Sequence, residues 1–270
     1  MEAGAPLTKN PYYLADIRLV LLGSAEEGKR SVGNTILGKD EFSGQKTALC
    51  VTKGRTVVGR QVTVINTPGW GREQRLAQTP VSVQEQHLQC VFPPGVHALL
   101  LVIRADKKFT EAHRAALQDH VELLGENVWN HTMVLFTCGD WLGETPIEQF
   151  IYSEGAPLQW VVDKCSYRYY RINNTDRADV TQVSQLLQCI ECVVAMNKGR
   201  CFEIDSQRHK AEVMKMFYQE KAMKDMRLRN QQNTGMGDDP MLNRCKSAET
   251  PPTMKEEDKE TKCSTAQAQQ

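Results

Sequence analysis

Five apolar runs punctuate the first two hundred residues, at 17–22, 62–65, 98–103, 132–136 and 169–172. Several are continuously apolar instead of alternating, the pattern of strands covered on both faces and hence of a parallel sheet. Helix-like stretches lie between them. Lys29–Leu37 follows the first run. A second, 110–124, follows the third run, with Thr110 and Glu111 as start signals and Gly125 as a stop. Residues 145–164 follow the fourth run and are broken at Gly155 and Pro157 into two short helices. Residues 180–197 follow the last and stop at Gly199. This alternation predicts a layered α/β fold with right-handed crossovers. One departure stands out: segments 55–58 and 61–65 are separated only by Gly59 and Arg60, which predicts a hairpin. The sheet is therefore expected to be mixed but mostly parallel, with one antiparallel strand.

Near residue 200 the character of the chain changes. Residues 202–229 are rich in Lys, Glu, Met and Arg and contain neither Gly nor Pro. Val213, Met216, Phe217, Met223 and Met226 form a partial helical stripe, read as a surface helix on the domain, with a partner-binding helix as the alternative. The polar stretch 231–270, with its Lys-Glu-Glu-Asp-Lys-Glu run, is expected to be disordered. The predicted organisation is an N-terminal arm (1–15), one α/β domain (16–200), a charged amphipathic helix as C-terminal extension (201–230) and a tail (231–270).

Composition narrows the function classes. Basic and acidic residues balance at 33 each, against a general nucleic-acid binder. No apolar run approaches the ~20 residues of a membrane span. The N-terminus has no basic-then-apolar leader, and neither Glu2 nor Cys263 fits a lipidation box. Nine cysteines without framework spacing read as reduced thiols, so a cytoplasmic protein is expected. Cys189 and Cys192 share a helix with no second pair and read as incidental.

The chemistry concentrates after the strands. Gly23-Ser24-Ala25-Glu26-Glu27-Gly28-Lys29 directly follows the first run, giving G-x-x-x-x-G-K between a strand and a helix. Such a loop turns its backbone N–H groups and the helix's positive end toward phosphate oxygens, while the lysine neutralises them. A glycine-punctuated turn has the same local sequence; the flanking strand and helix favour the phosphate reading. Asn66-Thr67-Pro68-Gly69 follows the second run, where nucleotide hydrolases carry Asp-x-x-Gly. Thr137-Cys138-Gly139-Asp140 follows the fourth, where guanine-nucleotide proteins place an Asp that accepts from the base's N1 and N2 groups. All three sit at strand C-terminal ends, where open α/β sheets bind ligands.

These stretches, with GNTILG after the loop, HALLLVIRADKKFTEAH and RINN, resemble the immunity-associated GTPases (the GIMAP family) and their AIG-type guanine-nucleotide domain over about residues 16–200. The resemblance implies a Ras-like P-loop NTPase fold, GTP and GDP binding, slow or partner-stimulated hydrolysis, and nucleotide-dependent homo- or hetero-oligomers through the domain. It places the phosphate loop at Gly23 through Arg30, with Ser31 beside it, and the switch threonine at Thr52. The γ-phosphate motif falls at Asn66–Gly69, the guanine carboxylate at Asp140 after Thr137, and the last base loop at Asn173 and Asn174. Residues 42–43 and 47–53 are expected to form a mobile switch loop.

The chain departs from that pattern where magnesium would bind. Arg30 replaces the Ser or Thr ligand, and Asn66 replaces the supporting Asp. Ser31 is one residue late, a helical step of about 100° away. Glu26 and Glu27, if they faced the phosphates, would repel them by several kcal/mol at ~4 Å before screening. Cys138 replaces a Lys, Trp70 stands where a water-positioning Gln is common, and Lys108 is the nearest match to a box arginine, a point charge instead of a fork. Binding is thus expected with a diminished role for magnesium, the Arg30 guanidinium supplying part of the missing charge, and with slow or absent hydrolysis. The alternatives are a nucleotide-free interaction module and a P-loop kinase or ATPase; Asp140 and the hairpin argue against the last.

Overall fold

The computed structural model describes residues 13–43, 48–91, 94–176, 179–204 and 206–234. In chain order these form β1 (Asp16–Leu22), α1 (Lys29–Leu37), β2 (Val51–Val57), β3 (Arg60–Asn66), α2 (Val81–Gln89), β4 (Ala98–Arg104), α3 (Glu111–Glu122), β5 (Thr132–Thr137), α4 (Ile147–Glu154), α5 (Ala156–Lys164), β6 (Tyr169–Arg171), α6 (Val180–Met196) and α7 (Ser206–Thr234). One six-stranded sheet runs β2-β3-β1-β4-β5-β6. All neighbours are parallel except β2 and β3.

The continuous apolar runs follow from two cores, one on each face of the sheet. Leu22, Leu99, Leu101, Val134 and Phe136 pack with Leu88 of α2, Val121 of α3, Phe150 of α4 and Leu158 of α5. Their strand neighbours Leu21, Leu100, Val102, Met133 and Leu135 point the other way, onto Ile36 of α1 and Leu187 of α6. A period-two backbone covered on both sides needs apolar residues at every position.

The hairpin differs in register from its expectation. Its two turn residues are Val58 and Gly59, with φ of 48° and 74°, and Arg60 already pairs with Val57. A two-residue connection that matches strand twist needs positive φ at both positions, so the turn centres one residue earlier. The antiparallel strand also starts earlier than expected, at Val51. Gly155, at φ 89°, separates α4 from α5 as its sequence predicts. Ile172 lies beyond β6, although its N–H still donates to the Phe136 carbonyl at 2.9 Å.

The described chain divides into two compact units between Glu220 and Lys221. In the first, Phe202 pairs with Val96 as an isolated bridge, and α7 begins only at Ser206, later than expected. Met216 is buried in the core and Val213 packs against it. Phe217 is exposed, as are Met223 and Met226 in the second unit. The expected stripe is thus only partly buried, because among its described members Val213 and Met216 meet the apolar core. Backbone helix continues through Thr234. Residues 1–12 of the arm, Thr47 of the switch segment and the tail from 235 onward lie outside the described residues. No helix among the described residues is long and apolar enough to cross a membrane.

Candidate functional site

The Gly23–Gly28 loop leaves β1 at Gly23, whose φ is 146° and where a Cβ would sit 2.7 Å from the Val102 carbonyl oxygen of β4. It closes at Gly28, φ 91°, which caps α1. Lys29, the first helical residue, is buried, and its Nζ donates to the carbonyls of Gly23 (2.6 Å) and Ser24 (2.7 Å). Burial drives its pKa down to about 7; Glu27 opposes that shift and Arg30 adds to it. A cavity of about 450 Å³ opens over the loop, lined by Ala25, Glu26, Gly28 to Ser31, Asn66 to Gly69, and Arg104.

Glu27 does not face this cavity. It is 5% exposed and turned beneath the loop. One carboxylate oxygen accepts from Ser24 Oγ (2.8 Å) and Arg72 Nε (3.1 Å), the other from the Arg104 N–H (2.8 Å). The repulsion expected from paired glutamates is therefore confined to Glu26, which lines the cavity at a left-handed φ of 71°. Glu27 instead fastens the loop to β4 and to the segment that carries Arg72.

The Asn66–Gly69 segment presses directly on the loop. A Cβ on Gly69 would lie 2.6 Å from the Ala25 nitrogen and 2.8 Å from Lys29 Nζ, so glycine is required for this approach. The Ala25 N–H donates to the Trp70 carbonyl at 2.7 Å. Thr67 Oγ1 donates to the Leu21 carbonyl at 2.8 Å. Beyond them, Trp70 stacks on His120 (4.2 Å, 14°) and meets His87 edge-on (5.5 Å, 79°). His87 Nε2 donates to the Pro68 carbonyl at 2.9 Å. Burial lowers His87 to about 3 and His120 to about 4, so both imidazoles are neutral near pH 7.

At the end of β5, Thr137 Oγ1 donates to the Glu27 carbonyl at 2.8 Å, tying that strand to the loop after β1. Cys138, at φ 55°, turns the chain into a 3-10 turn over Gly139–Leu142 that carries Asp140 on its exposed side. A Cβ on Gly139 would lie 2.5 Å from Arg171 Cγ, and the Gly139 N–H donates to the Ile172 carbonyl at 3.3 Å. Thr35 Oγ1 of α1 donates to Asn174 Oδ1 at 3.2 Å. Asn173 shapes its own loop, its Oδ1 accepting from the Thr175 N–H at 2.9 Å. The loops after β1, β3, β5 and β6 thus meet at one end of the sheet.

Two expected members stand apart. Thr52 is exposed in the edge strand β2, paired with Ile65, and does not line the cavity. The antiparallel ladder holds it there. Lys108 is exposed, and its carbonyl accepts from Arg72 at 3.0 Å. Three features were not singled out from the sequence: Arg104, the Glu27 anchor, and the Trp70–His87–His120 cluster. Arg104 ends β4 and points a guanidinium at the cavity wall, where Asp106 pairs with it and raises its pKa. A charged residue closing an otherwise apolar strand was its one signal.

A guanidinium, Arg30, occupies the hydroxyl position, and Asn66 offers a neutral amide whose buried Oδ1 has no hydrogen-bond partner among the described residues. No cluster of three His, Cys, Asp or Glu suited to a metal occurs among those residues.

Similarity to known proteins agrees with this geometry. The sequence is 32% identical over 166 residues to human "GTPase IMAP family member 8", covering 60% of this chain and 24% of that protein. It is 30% identical over 165 residues to "Immune-associated nucleotide-binding protein 5" of Arabidopsis thaliana, covering 58% and 52%. The chain therefore spans about a quarter and about half of these two relatives. In fold it is similar to Toc33 from Arabidopsis thaliana, solved with GDP and Mg2+, at a TM-score of 0.58 and 17% identity over 71% of this chain and 89% of that one. The same protein solved with Mg2+ and GMPPNP gives 0.58 at 16%. The expected mixed, mostly parallel α/β fold of the P-loop GTPases is the fold observed. The AIG1 family model matches residues 17–222, and the chain belongs to the AIG1 family.

Proposed function

We propose that this chain binds a guanine nucleotide, GDP or GTP, with the phosphates over Lys29 and the base between Asp140 and Asn174. The observation that carries this reading is the 2.8 Å bond from Thr137 Oγ1 to the Glu27 carbonyl, which couples the phosphate loop to the strand end bearing Asp140. The Thr35–Asn174 contact brings the second base-side loop onto the same helix that starts at Lys29. The relatives' names and the nucleotide complexes of the fold neighbour support the ligand class.

Binding is proposed to proceed with little dependence on magnesium. Lys29, Arg30 and Arg104 line the cavity against one carboxylate, Glu26. Hydrolysis is proposed to be weak or absent. Trp70 is 2% exposed and held against two imidazoles, so its own side chain is packed away instead of orienting a water. The chain would then act as a switch or assembly module, with nucleotide-dependent association through the domain; a dimerisation-deficient mutant is named for the fold neighbour Toc33. An immune-associated role follows by analogy with the relatives' names. A cytoplasmic location is proposed from the cysteine spacing, which has no framework pattern.

A second reading, a nucleotide-free interaction module, draws on the self-satisfied loop: Lys29 bonds loop carbonyls and the Ala25 N–H bonds Trp70. The deciding experiment is release of bound nucleotide by denaturing the purified protein, followed by titration of GDP, GTP and ATP with magnesium or with chelator. Guanine binding that survives chelator, and that loses its preference over adenine in Asp140→Ala, is the expected result. Failure to bind either guanine nucleotide leaves the module. A strict magnesium requirement removes the arginine account.

A further inference from the structure

We propose that Cys50 and Cys90 form a hydroperoxide-reactive dithiol that closes into an intramolecular disulfide, joining the entry of β2 to the end of α2. The pair is separated by forty positions in sequence yet organised around one residue, Gln86 of α2. The Cys50 N–H donates to Gln86 Oε1 at 2.9 Å, and Cys50 Sγ donates to the Gln86 carbonyl at 3.3 Å. That same carbonyl accepts from the Cys90 N–H at 3.1 Å, and Cys90 Sγ donates to the neighbouring His87 carbonyl at 2.9 Å. Both sulfurs therefore lie against successive carbonyls, those of Gln86 and His87, on one turn of α2.

Their environments divide the labour of a redox pair. Cys50 is half-buried, and hydrogen bonding with the Cys90 side chain lowers its pKa. Cys90 is 8% exposed, and burial raises its pKa. An accessible, thiolate-leaning cysteine next to a buried partner is the arrangement of an attacking and a resolving thiol. No other described pair combines these features. Cys189 and Cys192 lie one turn apart on α6, where burial raises Cys189.

The chemistry balances with a hydroperoxide as oxidant. The Cys50 thiolate attacks one peroxide oxygen, the O–O bond breaks, and hydroxide leaves, giving a sulfenic acid on Cys50. Hydroxide takes the Cys90 proton. The Cys90 thiolate then attacks the Cys50 sulfur, the S–S bond forms, and the S–O bond breaks with loss of a second hydroxide, protonated by solvent. With hydrogen peroxide, two thiols and one peroxide become one disulfide and two waters.

The position gives the bond a consequence for the loop beside the phosphates. α2 holds the Pro68 carbonyl through His87, and β2 pairs with the strand that ends at Asn66. A bridge from Cys50 to Cys90 clamps both supports of the 66–69 segment together. The inference rests on the thiol geometry and stands whether or not a nucleotide binds.

The test treats the reduced full-length chain with one equivalent of hydrogen peroxide, alkylates the remaining thiols, and maps peptides without reduction. The expected product is a peptide pair joined through Cys50 and Cys90, lighter by two hydrogens and split by dithiothreitol, in more than half of the molecules. Cys90→Ser is expected to leave Cys50 as a sulfenic acid that dimedone traps; Cys50→Ser is expected to leave Cys90 alkylatable. The wild-type map needs no variant to fold. Recovery of both thiols alkylated, or oxidation of Cys192 or Cys201 while this pair stays reduced, overturns the proposal.

Discussion

Raising the pH from about 7 to about 8.5 is expected to weaken guanine-nucleotide binding by more than tenfold, through Lys29 alone. In the free protein its ammonium is shut between the Gly23 and Ser24 carbonyls and buried, which brings its pKa to about 7. Phosphate oxygens over the loop restore the charged form, so binding draws in a proton wherever the free lysine is neutral. Above its pKa the charged fraction falls about tenfold per pH unit, and affinity follows at about 1.4 kcal/mol per unit until the bound-state pKa is reached. The ligand does not mask this, because a terminal phosphate with a pKa near ~6 is already ionised over the range. Calorimetry at about pH 8 in two buffers of different ionisation enthalpy should show uptake of about one proton per nucleotide bound. Stability of the free protein moves the opposite way. A lysine whose folded pKa is depressed leaves the unfolded chain holding the extra proton between about 7 and the ordinary ~10.4, so stability rises with pH across that window and is level below it. Lys29→Arg, charged throughout, is expected to abolish both slopes. Flat affinity with no buffer dependence in the wild type would mean that the buried lysine is already protonated, and the desolvation argument would fail.

Three further outcomes follow from the same contacts. The double substitution Arg30→Ser with Asn66→Asp is expected to make nucleotide affinity rise at least tenfold on adding magnesium, read by titration with and without chelator; no gain means the two departures are not what weakens the metal site. Thr137→Val keeps the shape but removes the bond to the Glu27 carbonyl, and urea denaturation should show a loss of about 1 kcal/mol. Glu27→Ala strands the Arg104 N–H and removes the partner of Arg72, and is expected to cost about 3 kcal/mol in the same assay.

The legible parts of this fold are those where one local pattern has one structural cause. Ala98–Arg104 and Thr132–Thr137 are buried at nearly every position because helices cover both faces, and their sequences say so directly. β2 is harder: Val-Thr-Lys-Gly-Arg-Thr-Val lies at the sheet edge with no fully buried position, and polar residues hide its extent. α2 was not foreseen because its buried face includes Gln84 and His87, polar groups whose burial is offset by bonds to the Thr79 and Pro68 carbonyls. Glu27 is the clearest case. Beside a phosphate loop a second carboxylate reads as repulsion, yet the strand order places β4 next to β1, and the Arg104 N–H and Arg72 turn that side chain inward. Neither partner is within forty positions of it, so no local pattern reveals the arrangement. Arg104 faces the cavity for the same topological reason.

The two departures at the metal positions become intelligible when charge is counted at the site instead of residue by residue. A neutral hydroxyl, one carboxylate and a divalent ion together present one net positive charge to the phosphates. Arg30 with Asn66, and no ion, presents the same net charge. Neutralisation of the ligand can therefore survive the loss of the metal, whereas polarisation of the transferred phosphoryl group cannot, because a delocalised guanidinium is a weaker Lewis-acid substitute than a divalent cation in direct contact with oxygen. Binding and hydrolysis rest on different properties of a magnesium ion, its charge and its coordination. A site that keeps the first and drops the second is expected to hold GDP and GTP with similar affinity and turn over little of either. Equal dissociation constants for GDP and GTP in chelator, alongside negligible phosphate release, is the pattern this argument requires; rapid magnesium-dependent release would contradict it.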